Sequence, residues 1–478
     1  MYKVLIKDTA LYSLSTLLAR GFSLITVPIF TRILSPSDYG ALDLLSYLAV
    51  ILGLLIGLAL DQAVGRFYTE TDGANEKRTI ASTVLLYNLV APIPLVFLGA
   101  AIADKVAKHW LGSPGYEGAV MAAFVYVWTY CVFFITTNQL RYRFEAKKFA
   151  LCSVSNALLS MGLSLWFVVS LKLGVEGVLL AQSASMICNA VLAWALSKSS
   201  YGWTFSWTCF KTLATYSLPL VPSTMAFFAS QYLDRYVLNE LRGLHEVGLY
   251  GIGARLASLV LLFLTGFQGA WYPLVMQTYK DPGAADKFRR VLEVFMLITS
   301  TALIWISVFS KEILLFLTTK DYAEAYIVVP LLLAAAVVSS VGNYFTYGIQ
   351  IAKESKLRLK INLVGVVGNL VLNVILIHAF GFLGAAIAAF ASALFIAVAS
   401  MQASQRFYFV PYEWGRLVGS LAMALVVSYV VATSVHEISW IAAMAKMVAA
   451  LTATAALIIL LRVHDLFNGV ILLLGRPS

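Results

Sequence analysis

Three cations stand inside otherwise apolar stretches: Arg20 in "LYSLSTLLARGFSLITVPIF", Arg255 in "GLYGIGARLASLVLLF" and Lys446 in "WIAAMAKMVAALTATAALIIL". An arginine at the centre of a bilayer-spanning helix costs about 2.5–3.5 kcal/mol on insertion scales, so each such residue calls for a fixed partner or a passing ligand. Arginine carries a planar fork of donors that matches phosphate bidentately. The chemistry these positions suggest is anion binding, with pyrophosphate as the obvious ligand. Arg66, in "DQAVGRFYTE", adds a cation where substrate would first be captured. Carboxylates are few: Asp43 and Asp61 bracket the second apolar stretch, and Asp234 precedes Arg235 at the end of the seventh. Each is a candidate for pairing a cation or for carrying a coupling proton or sodium ion.

Several chemistries are excluded. No GxxxxGK[ST] run is present, so no nucleotide-driven P-loop mechanism is expected. The four cysteines, Cys131, Cys152, Cys188 and Cys209, show no CxxC spacing and read as packing residues, with no metal or cofactor implied. The net charge of +10 falls in short connections rather than on one water-facing surface, which argues against nucleic acid.

The elements that must hold these residues are membrane helices. Of 478 residues, 60% are hydrophobic and 12% charged, about half the charged fraction of a soluble domain. With about 20 apolar residues per span, the fold class is an all-α polytopic membrane protein with 14 transmembrane helices: 10–30, 41–60, 80–101, 119–138, 150–171, 175–196, 212–233, 248–270, 291–310, 326–349, 361–380, 384–403, 417–435 and 438–461. The first follows Lys3 and Lys7 but lacks a small-residue cleavage site, and reads as a retained helix. Lys and Arg should concentrate in alternate, cytoplasmic loops. Counted from a cytoplasmic N-terminus, those loops hold 23 and the opposite loops 8, with 3 inside spans. Both termini are therefore expected inside (N-in/C-in). Trp110, Trp203, Trp207, Trp271, Trp414 and Trp440 fall near span ends, as interfacial belts require; Trp128 and Trp166 lie deeper.

Landmarks recur at nearly one offset. "SDYGALD" (37–43) matches "HEVGLYG" (245–251) at 208, "GYEGA" (115–119) matches "DYAEA" (321–325) at 206, and "LGVEG" (173–177) matches "FGFLG" (380–384) at 207. The reading is two pseudo-symmetric six-helix lobes, 1–205 and 206–405, followed by two additional helices and a tail in 406–478. An even number of spans per lobe puts the pseudo-two-fold along the membrane normal, with a cavity between lobes. Arg20 and Arg255 have Phe227 and Tyr47 at their repeat-equivalent positions, so neither belongs to the repeated scaffold. Pro28, "APIP" (91–94), "LPLVP" (218–222) and Pro330 are expected to kink their helices.

The stretches "ARGFSLITVPIFTRILSPSDYGALDLLSYL", "GLALDQAVGRFY", "YLDRYVLNELRGLHEVGLYGIGARLASLV" and "LKLGVEGVLLAQ" resemble the polysaccharide transporter family, the O-antigen-type (Wzx-like) flippases of the MOP superfamily. The resemblance covers essentially the whole chain. It implies a non-enzymatic flippase of the bacterial inner membrane that moves an undecaprenyl-pyrophosphate-linked oligosaccharide outward through a cavity lined by cations, Arg20 and Arg255 among them. It further implies work alongside a polysaccharide polymerase and a chain-length regulator. The alternatives are a proton- or sodium-coupled antiporter of the related multidrug-extrusion branch, which calls for acidic residues buried mid-span, and a membrane glycosyltransferase, which calls for a larger extracytoplasmic loop.

Overall fold

The second span starts where its local chemistry directs. In the computed structural model, which describes residues 25–434 and 439–461 together with Leu11 and Gly21, the helix Pro36–Gly57 opens with a capping box. Ser35 Oγ accepts from the Asp38 amide at 3.2 Å and Asp38 Oδ2 accepts from the Ser35 amide at 2.9 Å, so two otherwise orphaned donors are satisfied reciprocally. Pro36 at the first helical position loses nothing, since its missing N–H would have had no partner there.

All regular secondary structure among the described residues is helical. Among the described residues, eleven helices are long and apolar enough to cross a membrane, and each coincides with one of the expected spans. The expected spans at 212–233 and 248–270 are helical as well, the first over Trp207–Ser217, the 3-10 turn Leu218–Leu220 and Val221–Arg242, the second within Leu244–Thr278. Arg20 and most of the span 10–30 lie outside the described residues.

Two compact units divide the chain, Met1–Gly248 and Leu249–Ser478. The division falls later than the expected 205/206 boundary. Trp207–Ser217 packs on Leu60–Glu70, and Val221–Arg242 packs on Pro36–Gly57, which ties the segment 207–242 to unit 1. In unit 2, Trp414–Ser434 and Trp440–Leu460 pack on Ala284–Val308 and on each other. Ser428 Oγ donates to the Leu303 carbonyl at 3.5 Å, and Trp305 Nε1 to Thr454 Oγ1 at 3.2 Å. The two helices of 406–478 thus pack within unit 2.

Loops expected on the same side of the membrane meet within each unit. In unit 1, Arg143 donates to Ser199 and Ser200, and Arg78 to the Ser199 carbonyl, joining three loops assigned inside. Tyr116 donates to Asp38, and Asn239 to the Trp110 carbonyl, joining three assigned outside. In unit 2, Arg289 pairs with Glu413 and Tyr408 donates to the Tyr279 carbonyl, all in loops assigned inside or at their edges.

The prolines act in two ways. "APIP" separates Ala74–Val90 from Ile93–His109, and "LPLVP" separates Trp207–Ser217 from Val221–Arg242, as missing donors and ring clashes demand. Pro330 instead sits in the first turn of Val329–Phe345, directly after the 3-10 turn Lys320–Val328. Trp271, expected at an interface, is buried, with its ring stacked 5.5 Å from that of Tyr344.

One close approach has the repeat written into it. A Cβ on Gly40 would fall on the carbonyl oxygen of Leu244, and a Cβ on Gly248 on that of Pro36. The offset of 208 relates 40 to 248 and 36 to 244, so the contact is reciprocal between repeat-equivalent backbones, and only glycine admits it.

Candidate functional site

The charged residues singled out at the outer ends of the second and seventh spans form one cluster in unit 1. Asp43 comes from Pro36–Gly57 and Arg235 from Val221–Arg242, and they are 4% and 8% exposed. Arg235 Nε lies 3.7 Å from Asp43 Oδ2, and Arg235 Nη1 lies 3.2 Å from Asp234 Oδ1. The Arg235 amide donates to the same Asp234 oxygen at 2.8 Å. The guanidinium sits 4.8 Å from the Tyr47 ring and 6.0 Å from the Tyr232 ring, and these two rings stack at 3.8 Å. A buried cation is tolerated when carboxylates and ring faces replace its water. The tyrosines carried no signal in the sequence, because helical periodicity says nothing of a partner on another helix.

A second feature lies at Asp61. Leu58 and Ala59, between Pro36–Gly57 and Leu60–Glu70, both adopt φ of 51°, a left-handed conformation costing of order 1–3 kcal/mol per non-glycine residue. Two hydroxyls brace the break: Tyr87 donates to the Ile56 carbonyl at 2.9 Å and Tyr142 to the Asp61 carbonyl at 2.6 Å. Beside it opens a cavity of about 210 Å³ whose polar lining comprises Asp61, Gln62, Asn88, Tyr130 and Thr224. Asp61 lies beyond the span, in the first turn of Leu60–Glu70. Burial pushes its carboxyl above the usual carboxylate range, opposed in part by the backbone amides of Gln62 and Asp61 itself. A carboxyl so placed is chemically fit to hold a proton.

The remaining cations each have their own local surroundings. Arg66 is exposed, 3.1 Å from Glu70 one turn along its helix and 5.0 Å from the Tyr216 ring. Arg255 is half-buried on Leu244–Thr278, with its carbonyl accepting from Ser258 Oγ at 2.6 Å. Lys446 is fully buried, and its Nζ lies 2.6 Å from Glu312 Oε1, so its charge is answered inside unit 2. Glu312, on the short helix Ser310–Leu317, was not singled out by the sequence; its signal was an acid at the outer end of a span, the depth assigned to Lys446. Arg20 lies outside the described residues. Among the described residues no group of three or more His, Cys, Asp or Glu is placed to hold a metal ion.

Residues 5–279 match the family model described as polysaccharide biosynthesis protein, and residues 219–375 match the MatE model. The chain is 23% identical over 380 residues to the probable low-salt glycan biosynthesis flippase Agl15 of Haloferax volcanii, covering 78% of each protein. It is 22% identical over 266 residues to the succinoglycan biosynthesis transport protein ExoT of Rhizobium meliloti, covering 55% of this chain and 51% of that one. The solved structure of the lipid II flippase MurJ in an inward closed conformation superposes with a TM-score of 0.74 at 13% identity, over 94% of this chain and 98% of that one. At such identity the superposition speaks for the fold alone. The family match spans more than half of the sequence, and the chain belongs to the polysaccharide biosynthesis protein family.

Proposed function

We propose that this chain is a flippase that carries a polyprenyl-pyrophosphate-linked oligosaccharide, with undecaprenyl as the carrier, from the cytoplasmic to the outer leaflet of a bacterial inner membrane for surface polysaccharide synthesis. The observation that carries the reading is the family match over residues 5–279. It is supported by relatives named as a glycan biosynthesis flippase and a succinoglycan biosynthesis transport protein.

In this reading fourteen spans run with both termini cytoplasmic, and the protein works by alternating access. Arg66 meets the head group at the cytoplasmic mouth, and Arg20 and Arg255 bind the pyrophosphate through charge-assisted bonds. Outward movement of negative charge against an inside-negative potential is favourable by about 2.3 kcal/mol per charge per 100 mV, which supplies a drive without nucleotide. Asp61 is the candidate for a coupled proton. A polymerase and a chain-length regulator would receive the delivered product.

The test is leaflet transfer of defined polyprenyl-pyrophosphate sugars in proteoliposomes, with and without an imposed potential. Transfer that accelerates with an inside-negative potential supports the reading; no transfer of any such lipid overturns it. The match of residues 219–375 to the MatE model favours a second reading, an ion-coupled antiporter of small molecules. Uptake of a cationic dye by the same proteoliposomes, driven by a proton or sodium gradient, would establish it.

A further inference from the structure

A second cavity in unit 1 differs from the one at Asp61. It measures about 300 Å³ and is bounded by Leu85, Leu89, Trp128, Val132, Trp194 and Trp203. Ile187 and Val191, 44% and 57% exposed, stand at its mouth. The hydroxyls of Thr129 and Thr136, which also line it, donate to carbonyls of their own helix, and Trp128 Nε1 donates to the Leu89 carbonyl at 2.9 Å. What remains facing the space is hydrocarbon and ring surface.

Above this apolar floor stands a cation. Arg78, Leu85 and Leu89 occupy positions i, i+7 and i+11 of Ala74–Val90, which places them on one face of the helix, with Arg78 about 10 Å beyond Leu85 along the axis. Arg78 Nε donates to the Ser199 carbonyl at 3.0 Å, and the same helix receives the chain at Gly202, whose amide donates to Ser82 Oγ at 2.8 Å. The next residue is Trp203, whose ring is held against that of Trp194 at 5.8 Å. The Arg78 side chain is exposed, and its two terminal nitrogens bond nothing among the described residues. Lys198 is exposed in the same connection. By the charge bias, both loops lie on the cytoplasmic side.

An apolar slot within the hydrocarbon, rimmed by interfacial tryptophan and capped by a guanidinium at head-group level, has the polarity of a phospholipid read from tail to phosphate. We propose that this groove binds one acyl chain of an anionic phospholipid of the cytoplasmic leaflet, with the lipid phosphate held by Arg78. The bilayer supplies this occupant in excess. The slot measures about 12 Å between the levels of Trp128 and Thr136, eight helical residues apart, which suits part of a single acyl chain.

Quenching of tryptophan by brominated lipid tests this, because three tryptophans line the groove. The full-length protein is reconstituted in phosphatidylcholine with a small fraction of acyl-brominated phosphatidylglycerol, and a Trp128→Phe/Trp194→Phe/Trp203→Phe variant defines the signal of these three rings. Their quenching should correspond to about fivefold enrichment of the anionic lipid over its mole fraction, the value of roughly one interfacial cation. In Arg78→Ala the enrichment should disappear. In Ile187→Phe, which fills the mouth and leaves Arg78 in place, quenching should fall below the mole fraction. Quenching that follows mole fraction in the unmodified protein, or is unchanged in both variants, overturns the proposal. Relief of quenching by equimolar polyprenyl phosphate but not by unbrominated phosphatidylglycerol overturns it in favour of a carrier-tail site.

Discussion

Asp43 and Arg235, on helices 192 positions apart in sequence, meet at 3.7 Å inside unit 1, with each more than nine-tenths withdrawn from solvent. Removing one partner of such a pair leaves a buried charge short of its counter-ion, which typically costs 3–5 kcal/mol. Asp234 continues to face the guanidinium, so Asp43→Ala should fall at the lower end, about 3 kcal/mol. Thermal unfolding in detergent should show it, with partial recovery in the exchanged pair Asp43→Arg/Arg235→Asp. An Asp43→Ala protein with unaltered unfolding would mean that the pair does not hold these helices together.

The Lys446–Glu312 pair allows a cleaner cycle, because Lys446 is fully enclosed and the two groups are 2.6 Å apart. Lys446→Met alone should destabilise unit 2 by about 3 kcal/mol, whereas Lys446→Met with Glu312→Gln should recover most of the loss, since an uncharged pair of similar volume leaves no stranded ion. Transport by the double variant should persist. Loss of transport at full stability would instead give Lys446 a direct part in substrate handling.

Gly40 and Gly248 each approach a carbonyl oxygen too closely for any side chain. Gly248→Ala should force Pro36–Gly57 and Leu244–Thr278 apart locally, at about 1–3 kcal/mol as for other overpacked sites. Gly40→Ala should do the same by the reciprocal route, and the double variant should cost less than the sum, because one displacement relieves both clashes. Additive losses would show that the two contacts open independently.

Asp61 sets a pH dependence whose sign is fixed by its environment. Burial raises its carboxyl pKa in the folded protein, so between the usual carboxylate value of about 4 and that raised value the folded protein holds more protons than the unfolded one. Stability from this group is then full at the acid end and is lost as pH rises through the window. Asp61→Asn should flatten that slope and be the more stable protein at neutral pH in thermal unfolding. A parallel slope in wild type and variant would place the titrating group elsewhere.

Arg255 tests the substrate reading. Arg255→Ala should slow leaflet transfer at least tenfold, as expected for loss of about 1.5–3 kcal/mol in charge-assisted bonding, with protein yield unchanged. Arg255→Lys should recover only part, because an ammonium supplies a point charge without the fork. Full activity in the Lys variants of both Arg255 and Arg20 would count against bidentate phosphate recognition. Loss of yield in the Ala variants would assign both arginines to folding.

Much was legible in the residue string because the bilayer imposes simple rules. Span length, apolarity and alternating loop charge depend on composition over about 20 residues, and they located every described helix that is long and apolar enough to cross a membrane. Glycine placement was also informative: the 208-residue offset marked Gly40 and Gly248 as equivalents before their contact was visible. Prolines were legible as interruptions but not by their place in the helix. The rule that proline breaks a helix applies in its interior, and a string of residues did not reveal that Pro330 lies in a first turn.

The sequence by itself determined that this is a many-helix membrane protein with charges in expensive places, because the cost of a charge in hydrocarbon is a property of the residue and its depth. Only the tertiary structure decided what answers Lys446 and Arg235. Glu312 meets Lys446 across 134 residues, Tyr47 and Tyr232 flank Arg235, and Leu58 and Ala59 take a left-handed turn beside Asp61. Such pairings depend on the rotation and register of one helix against another, which side-chain packing fixes and which no local pattern along the chain encodes.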